Sequence, residues 1–501
     1  MKVTLPASAI ATQVLPIDQD HAERAAAAPD IPSLPLHRLG TSSVSARFPS
    51  VHPPLTTIVE QEEHETDPLG RRHSADSPHL WLPNDLWRSI TQFSSRGEVL
   101  KLRATNSSVY VQADQALTTM TLQPHDIEAF LASPGFKHVK TVCIQDPNDD
   151  SVARLVTHLE THPRPSLTLR LSTEIVSSPT SLLQGRQFTT DTLARLKDLS
   201  LAALQIDKVL AFNSIDTLKA LAECPFPVDL VGAFSRQTLV AASRIAMLRS
   251  ITIYGMEFDD DLARLFSTHR ALEDVSIGAS RDVSSEGIAA LASLPTLRAL
   301  SVDEWFDRAL IDATSASALA ANPALETLRV TAGEGLAEES FALLSRSQSL
   351  TTLQVHFREN MAELGNMVSL RHLTFTPSAW AAPVNLDLVS ATSMAKLPAL
   401  QTIGFPNMKA EAGALTTIFK QSAAHTIAFD GYYAFDPEEL SALLANTHLR
   451  ELAFRKGGMH QNTIDAVLRH PTLERVRIMG NEFHRVSGRA TLMDVTDMGK
   501  G

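Results

Sequence analysis

Cysteine is nearly absent from this sequence, since only two of its 501 residues are of that type. Two cysteines cannot supply the disulfide framework of a small secreted protein. Cys143 and Cys224 are therefore predicted to be small buried hydrophobic residues in a reducing compartment. The chain also contains no apolar run close to the roughly 18 residues that a membrane-spanning helix needs. We predict a protein without disulfide bonds and without a membrane partner.

Positive charge is also scarce. The 44 Lys and Arg residues are outnumbered by 56 Asp and Glu residues, which gives a net charge of −12 at pH 7. No basic stripe runs along the chain, although a general nucleic-acid-binding protein needs one to meet the phosphate backbone. The sequence therefore predicts no nucleic-acid partner.

Motifs for catalysis, metal binding and cofactor binding are weak. Three histidines lie loosely together in a proline-containing stretch: His64, His73 and His79. Their spacing does not match that of zinc ligands. The turn at 333–335 contains two glycines, but it lacks the flanking strand and helix of a phosphate loop. Cys143 is followed by Asp146, yet its strand position favours burial over catalysis. We predict no catalytic residue, no metal and no cofactor, and hence no enzyme.

An internal repeat is the strongest feature that the sequence does contain. The pattern L-x-x-[LVI]-x-[LIVF] occurs ten times, and its first positions span 225 residues, which gives a mean interval of 25 residues. Those first positions are Leu248, Leu272, Leu297, Leu325, Leu350, Leu370, Leu400, Ala424, Leu449 and Leu473. Weaker copies precede them at 139–144, 167–171 and 196–201, with a blurred one near 228–230. A period of about 20 to 29 residues is typical of leucine-rich repeats.

Helical segments follow the predicted strands. Their apolar residues recur three and four positions apart, and polar or acidic residues such as Asp259 and Asp436 precede them. One strand and one helix per repeat predict an α/β solenoid, an irregular leucine-rich-repeat horseshoe with strands inside and helices outside. Irregularity is expected because the asparagine that usually closes a repeat occurs only once, as Asn481, and because the intervals vary from 20 to 30 residues. We also expect a distorted turn near 377–383.

Four segments are predicted along the chain. Residues 1–77 are rich in Ala, Ser and Pro and lack the apolar residues for a core, which predicts a disordered leader. Residues 78–122 are predicted to form a small helical module, 123–485 the leucine-rich repeats, and 486–501 a loose tail.

The predicted helical module is too small to fold around a core of its own. Leu82, Leu86, Ile90 and Phe93 follow helical spacing, and Pro83 suits the first turn of a helix. A second short helix is predicted at 98–106. This hairpin must pack on a partner or cap the first repeat, and the sequence leaves both alternatives open.

The hairpin resembles an F-box over residues 80–116. The resemblance consists of Leu-Pro, a helix ending at Phe93, a polar turn and a second helix. The aromatic residue that usually closes the motif is either replaced by Val109 or displaced to Tyr110. It implies binding to a Skp-family adaptor protein of a cullin-RING ubiquitin ligase. The residues that the resemblance places in this contact are Leu82, Pro83, Leu86, Trp87, Ile90, Phe93 and Leu100.

The repeats and the leader carry a second resemblance. The segment Gly-Ile-Ala-Ala-Leu-Ala at 287–292, followed by Leu297, is similar to the repeats of GALA-like F-box effectors of plant-pathogenic bacteria. The Ala-rich N-terminus resembles a type III secretion leader. Together they imply a virulence effector that a type III system secretes into a host cell, where it acts in the cytoplasm or nucleus. An F-box protein with leucine-rich repeats from a eukaryote also fits the residues.

The resemblance implies an F-box-type substrate adaptor of a host SCF ubiquitin ligase. Its helical module would bind the Skp-family subunit, and its repeats would recruit an unknown host target protein. The alternative is a non-enzymatic leucine-rich-repeat scaffold that binds and masks a protein partner without ubiquitin transfer.

Large aromatic residues predict where the target binds. Trp and Tyr number only eight in the chain, and five of them follow repeat strands: Tyr254, Trp305, Trp380, Tyr432 and Tyr433. Because Trp and Tyr are enriched at interface hot spots, we expect these five to form a rim that faces the target. Trp305 could instead fill the space left by the missing asparagines. Polar specificity is expected from nearby strand positions: Arg329, His356, Arg371, Arg455 and Arg477.

Overall fold

The computed structural model describes most of the chain beyond residue 118. The described residues are 119–131, 139–172, 190–207, 215–255, 257–278, 280, 282–303, 311–331, 336–357, 361–376, 385–406, 409–431, 433–455, 461–478, 481–485 and 492–494. The predicted leader, nearly all of the F-box-like module with its seven candidate adaptor contacts, and the turn predicted near 377–383 lie outside them. Those predictions stay predictions.

Short strands recur throughout the described residues. They are β1 (Thr119–Leu122), β2 (Thr141–Gln145), β3 (Thr168–Ser172), β4 (Ala203–Asp207), β5 (Val228–Gly232), β6 (Leu248–Tyr254), β7 (Asp274–Gly278), β8 (Ala299–Asp303), β9 (Thr327–Thr331), β10 (Thr352–His356), β11 (His372–Thr376), β12 (Asn385–Leu386), β13 (Thr402–Pro406), β14 (Lys409–Ala410), β15 (Thr426–Asp430), β16 (Glu451–Phe454), β17 (Arg475–Ile478), β18 (Asn481–Arg485) and β19 (Leu492–Asp494).

Helices alternate with these strands. They are α1 (Ile127–Leu131), α2 (Asp149–Thr161), α3 (Thr190–Leu196), α4 (Ile215–Leu221), α5 (Arg236–Ala242), α6 (Asp260–Phe266), α7 (Ser285–Ala292), α8 (Ala313–Ala321), α9 (Glu338–Leu344), α10 (Leu388–Ala395), α11 (Ala414–Gln421), α12 (Pro437–Ala445) and α13 (Gln461–Leu468), with 3-10 turns at Pro124–Asp126 and Ala362–Asn366.

The strands form a single long sheet in which successive repeats are neighbours. Each repeat strand from β1 to β17 pairs in parallel with the next, and the sheet has 17 strands within the described residues. A small parallel pair, β12 with β14, lies apart from it. One strand and one helix per repeat, in parallel register, confirm the predicted α/β solenoid of leucine-rich repeats.

The repeat pattern defines a continuous core. All ten first positions of the pattern, from Leu248 to Leu473, are at most 2% exposed. The helices begin where the sequence places a capping side chain: the Asp259 carboxylate accepts from the Leu262 amide at 2.9 Å, and Asp436 forms a capping box with Glu439. Burial therefore places these ten repeats in the register that the sequence predicts, and capping side chains set where several of the helices begin.

Two details of the repeats differ from the prediction. The weak copy at 196–201 is misplaced, because the buried pattern is Leu201, Leu204 and Ile206, which puts β4 at Ala203–Asp207. The shortest interval, from Leu350 to Leu370, has room only for the 3-10 turn Ala362–Asn366 where other repeats have an α-helix.

The predicted segment boundaries also change. β1 lies within the segment assigned to the F-box-like module, yet it pairs with β2, so the sheet starts before residue 123. The predicted tail contains β19, which pairs antiparallel with β18, and β18 pairs antiparallel with β17. Asn481 is the exposed first residue of β18 and does not close a repeat as expected. A hairpin thus follows the last parallel strand.

Phenylalanine rings form a stack along the C-terminal half of the core. The rings of Phe375, Phe405, Phe429 and Phe454 succeed one another on neighbouring strands, with centroid distances of 6.2, 5.5 and 5.2 Å. Phe357 meets the ring of Phe375 edge-on at 5.0 Å. The strands are in register, so equivalent aromatic positions fall directly beside one another and the repeats couple through their rings.

Buried polar side chains between four of the helices and the strands that follow them take the place of the missing asparagine ladder. Asn446 donates from Nδ2 to the Phe419 carbonyl at 2.7 Å, and its Oδ1 accepts from the amides of His448 and Leu449. The side chains that join neighbouring repeats in this way are His269, Asn322, Asn446 and His470. Each stands three residues before the first position of a repeat. We call them the inter-repeat clips.

Candidate functional site

Alternate strand residues form a sheet face that the helices do not cover. In β9, Leu328 and Val330 are buried in the core, whereas Thr327, Arg329 and Thr331 point to the other side and are partly exposed or exposed. We call this side the open face. Because the strands are parallel and in register, its side chains form rows that run across the repeats.

A carboxylate and its donors occupy the open face at β4 to β6. Asp229 accepts from Gln205 Nε2 at 3.1 Å, and from Arg249 Nε at 3.0 Å and Nη2 at 2.5 Å. The hydrogen bond to Asp229 raises the pKa of the Arg249 guanidinium. Nearby, Arg170 donates to Asp207 at 2.7 Å. These contacts join adjacent repeats, so the open-face side chains are held in fixed positions.

Cys143 lies on the open face and not in the core as predicted. It occupies the middle of β2, in register with Thr121 on one side and Arg170 on the other, and it is partly exposed. Burial still raises the pKa of its thiol, against the opposing effect of Arg170. The sequence did not separate the two faces here, because a cysteine suits either of them. Cys224 is buried as predicted, and burial raises its pKa to about 12.

Tyr254 is an exposed aromatic residue at the end of β6. Its side chain is 43% exposed, and its register partners across the sheet are Gly278 and then Asp303. A Cβ at Gly278 would lie only 3.4 Å from Cδ1 of Tyr254, so the ring lies directly beside the glycine. Asp303 accepts a hydrogen bond from Thr331. Tyr254 is therefore exposed as expected, whereas its contact with a target stays a prediction.

Tyr433 is in the core, so its predicted place on an exposed rim is wrong. Its side chain is 7% exposed, its ring lies 4.4 Å from that of Phe429, and its hydroxyl donates to the Pro406 carbonyl at 3.1 Å. Tyr433 packs in the aromatic stack because its ring fills apolar space while its hydroxyl keeps a hydrogen-bond partner. Trp305, Trp380 and Tyr432 lie outside the described residues.

Four of the five polar positions proposed beside the rim are exposed: Arg329, Arg371, Arg455 and Arg477. His356 is the exception, since it is 4% exposed. Arg477 meets the carboxylates of Glu451 and Glu482 at 3.6 and 3.2 Å. The basic residues at the last repeats therefore belong to a mixed-charge cluster.

The open face changes character along the array. Its middle row is polar from β3 to β5 but consists of Gly404, Ala428 and Ala453 in β13, β15 and β16. A Cβ at Gly404 would approach Cγ2 of Thr374 to 3.1 Å, so larger residues do not fit there without displacing that threonine. Along the sheet, the open face thus carries fixed polar side chains at β3 to β5, small residues at β13, β15 and β16, and charged side chains at β17.

No catalytic or metal-binding arrangement stands out in the part of the chain that the structure describes. No three His, Cys, Asp or Glu side chains there are placed to hold a metal ion. Likewise, no helix within the described ranges is both long and apolar enough to cross a membrane.

The fold is an α/β solenoid of leucine-rich repeats whose sheet has one open face. No family model and no curated protein matches the chain. Solved structures that resemble it include an internalin from Listeria monocytogenes, at 15% identity over 60% of this chain and 85% of that one, with a TM-score of 0.36. Another is the yeast complex of Rad7 and Elc1, at 13% identity over 79% and 80%, with a TM-score of 0.35. Likeness this distant identifies neither partner nor activity.

Proposed function

We propose that this protein is a non-catalytic adaptor that binds a target protein on its open face. The observation that supports the proposal is the in-register sheet, which presents rows of ordered polar side chains across many repeats. Such preorganised side chains lose little entropy on binding, which favours recognition of a folded partner. The exposed Tyr254 supplies the kind of amphipathic anchor that is common in interfaces.

We further propose that residues 78–122 are an F-box-type module that binds a Skp-family subunit of an SCF ubiquitin ligase. In this proposal a type III system secretes the protein into a host cell, where the bound target is ubiquitinated. The support is the resemblance of the Leu82-Pro83 helix and of the Ala-rich leader. The sequence of the hairpin has apolar residues at helical spacing and no core of its own, so a partner would bury them.

Binding of the full chain to a purified Skp-family adaptor tests this function. Replacing both Leu82 and Pro83 with Ala should raise the dissociation constant about tenfold or more, because apolar anchors at hot spots contribute most of the binding free energy. Leu265→Ala is the matched control, since Leu265 is a 39% exposed leucine on α6. Equal binding by the Leu82 and Pro83 variant and the parent would refute the F-box assignment. A target captured without adaptor binding would favour the masking scaffold.

A further inference from the structure

Tyr254 and Asp303 are close neighbours on the open face because only a glycine separates them. Tyr254 ends β6, Gly278 is its register partner in β7, and Asp303 follows in β8. The point where a Cβ of Gly278 would stand is 3.4 Å from Cδ1 of Tyr254 and 3.8 Å from Oδ2 of Asp303. No side chain of β7 therefore stands between the ring and the carboxylate. Gly278 is buried, so a ligand would lie over this pair of side chains and not between them.

The Tyr254 ring offers an accessible aromatic surface. The residue is 43% exposed, and among the described residues it is the only aromatic one in the set of exposed large hydrophobic side chains. The face of an aromatic ring carries negative electrostatic potential, which attracts a cation placed above it. The ring therefore suits a positively charged group that also has an apolar surface.

The Asp303 carboxylate is held in a fixed orientation. Its Oδ1 accepts a hydrogen bond from the Thr331 hydroxyl on β9, whereas Oδ2 is the oxygen next to Gly278. Asp303 is partly exposed and forms no ion pair with any of the residues that the structure describes. A carboxylate oxygen accepts more than one hydrogen bond, so Oδ2 is available to a donor from a partner.

The charge around this pair of side chains also favours a cation. The connections that follow β6, β7 and β8 leave the sheet at the edge where Tyr254 and Asp303 end their strands. These connections, 255–259, 279–284 and 304–312, contain six acidic residues and two arginines. An excess of negative charge remains when Arg236, which pairs with Asp259, is counted with them. A cationic ligand is therefore attracted to this edge, and an anionic one is repelled.

We propose that Tyr254 and Asp303 form an arginine-binding site, which takes one arginine side chain of the target protein. The planar guanidinium stacks on the exposed ring and donates hydrogen bonds to the carboxylate at the same time. A lysine ammonium has no plane to stack, so it satisfies only the charge. The inference rests on the target binding proposed for the open face and adds the chemistry of one contact.

Fluorine NMR of the full chain labelled with 3-fluorotyrosine tests this site. The chain has only four tyrosines, so the spectrum is simple, and Tyr254→Phe assigns the Tyr254 signal. The probes are the amides of Nα-acetylarginine, Nα-acetyllysine and Nα-acetylcitrulline. The arginine probe should shift the Tyr254 signal in a saturable way, and less so as salt is added. The lysine probe should bind about threefold or more weakly, and the citrulline probe, which lacks the charge, should not bind.

Variants at both side chains sharpen the test, with binding of the arginine probe measured by saturation-transfer NMR. Asp303→Asn should weaken binding about threefold to tenfold, because it removes the negative partner of the guanidinium. Asp430→Asn is the matched control, since Asp430 ends β15 as Asp303 ends β8 but has Pro406 as its register partner. Tyr254→Phe keeps the ring and should retain binding, whereas Tyr254→Leu should weaken it about threefold or more.

The contrary outcomes are equally definite. Equal binding of the arginine and citrulline probes, stronger binding of the lysine probe, or equal losses in Asp303→Asn and Asp430→Asn would overturn the proposal. The adaptor assay separates this inference from the function proposed above, since Asp303→Asn should bind a Skp-family adaptor as the parent does. An inert arginine probe with intact adaptor binding overturns the arginine site alone. A parent that binds the arginine probe but no adaptor refutes the F-box assignment alone. Circular dichroism of each variant confirms that the fold is retained.

Discussion

Removing one ring from the aromatic stack should destabilise the protein locally and strongly. Phe429 is fully buried and contacts the rings of Phe405, Phe454, Tyr433 and Phe435 at centroid distances between 4.4 and 5.7 Å. Replacing a buried Phe with Ala costs about 3 to 5 kcal/mol through lost burial and the cavity left behind. Each aromatic pair adds roughly 0.5 to 1.5 kcal/mol beyond its area. We expect Phe429→Ala to lie at the upper end of the range for such substitutions.

Two measurements check this expectation. Urea unfolding followed by far-ultraviolet circular dichroism gives the change in free energy of unfolding. Hydrogen exchange gives its location, because a repeat contacts chiefly its neighbours. Protection should fall across β13 to β17 and stay unchanged in β2 to β5. Phe483→Ala in β18 is the control and should cost less, since Phe483 is only partly buried. A loss below about 1 kcal/mol for Phe429→Ala, or a uniform loss of protection, would falsify the coupling of repeats through their rings.

The inter-repeat clips give two further predictions. Asn446→Ala should lower the free energy of unfolding by about 1 to 3 kcal/mol, because it removes the partner of the buried Phe419 carbonyl, of the buried Leu449 amide and of the partly buried His448 amide; the same change at exposed Asn481 should have little effect on urea unfolding. His470 makes the clip with neutral imidazole, and burial lowers its pKa. The unfolded state therefore binds more protons, so stability should fall as the pH drops below about 6.5. His470→Asn should reduce this pH dependence when unfolding is measured at neutral and mildly acidic pH; an undiminished dependence would assign it to other groups.

The repeat architecture could be predicted from sequence because its signal is local. The first, fourth and sixth positions of the repeat pattern are apolar in all ten copies, which makes a chance match improbable. The residues at these positions are all buried. The inter-repeat clips also have a sequence signal: Asn322 and His470 each precede a proline and stand three residues before a repeat leucine. A buried polar position repeated at that spacing indicates a bond between repeats.

The surface residues were harder to predict for a geometric reason. Tyr254 ends β6 and is exposed, whereas Tyr433 follows β15 and packs in the aromatic stack. A shift of one residue along a strand moves a side chain to the other face of the sheet. The residues that decide between the two faces by packing lie in other repeats.

The hairpin of β18 and β19 has a consequence for association between molecules. A parallel sheet that ended at β17 would offer its backbone amides and carbonyls to any strand of another chain. Here the chain folds back and pairs with that edge itself, in the opposite direction to every repeat strand before it. The backbone groups on that side of β17 are therefore already paired within the chain, and an incoming strand would meet the three-residue β19 instead. We infer that the hairpin keeps strands of other molecules from pairing with β17.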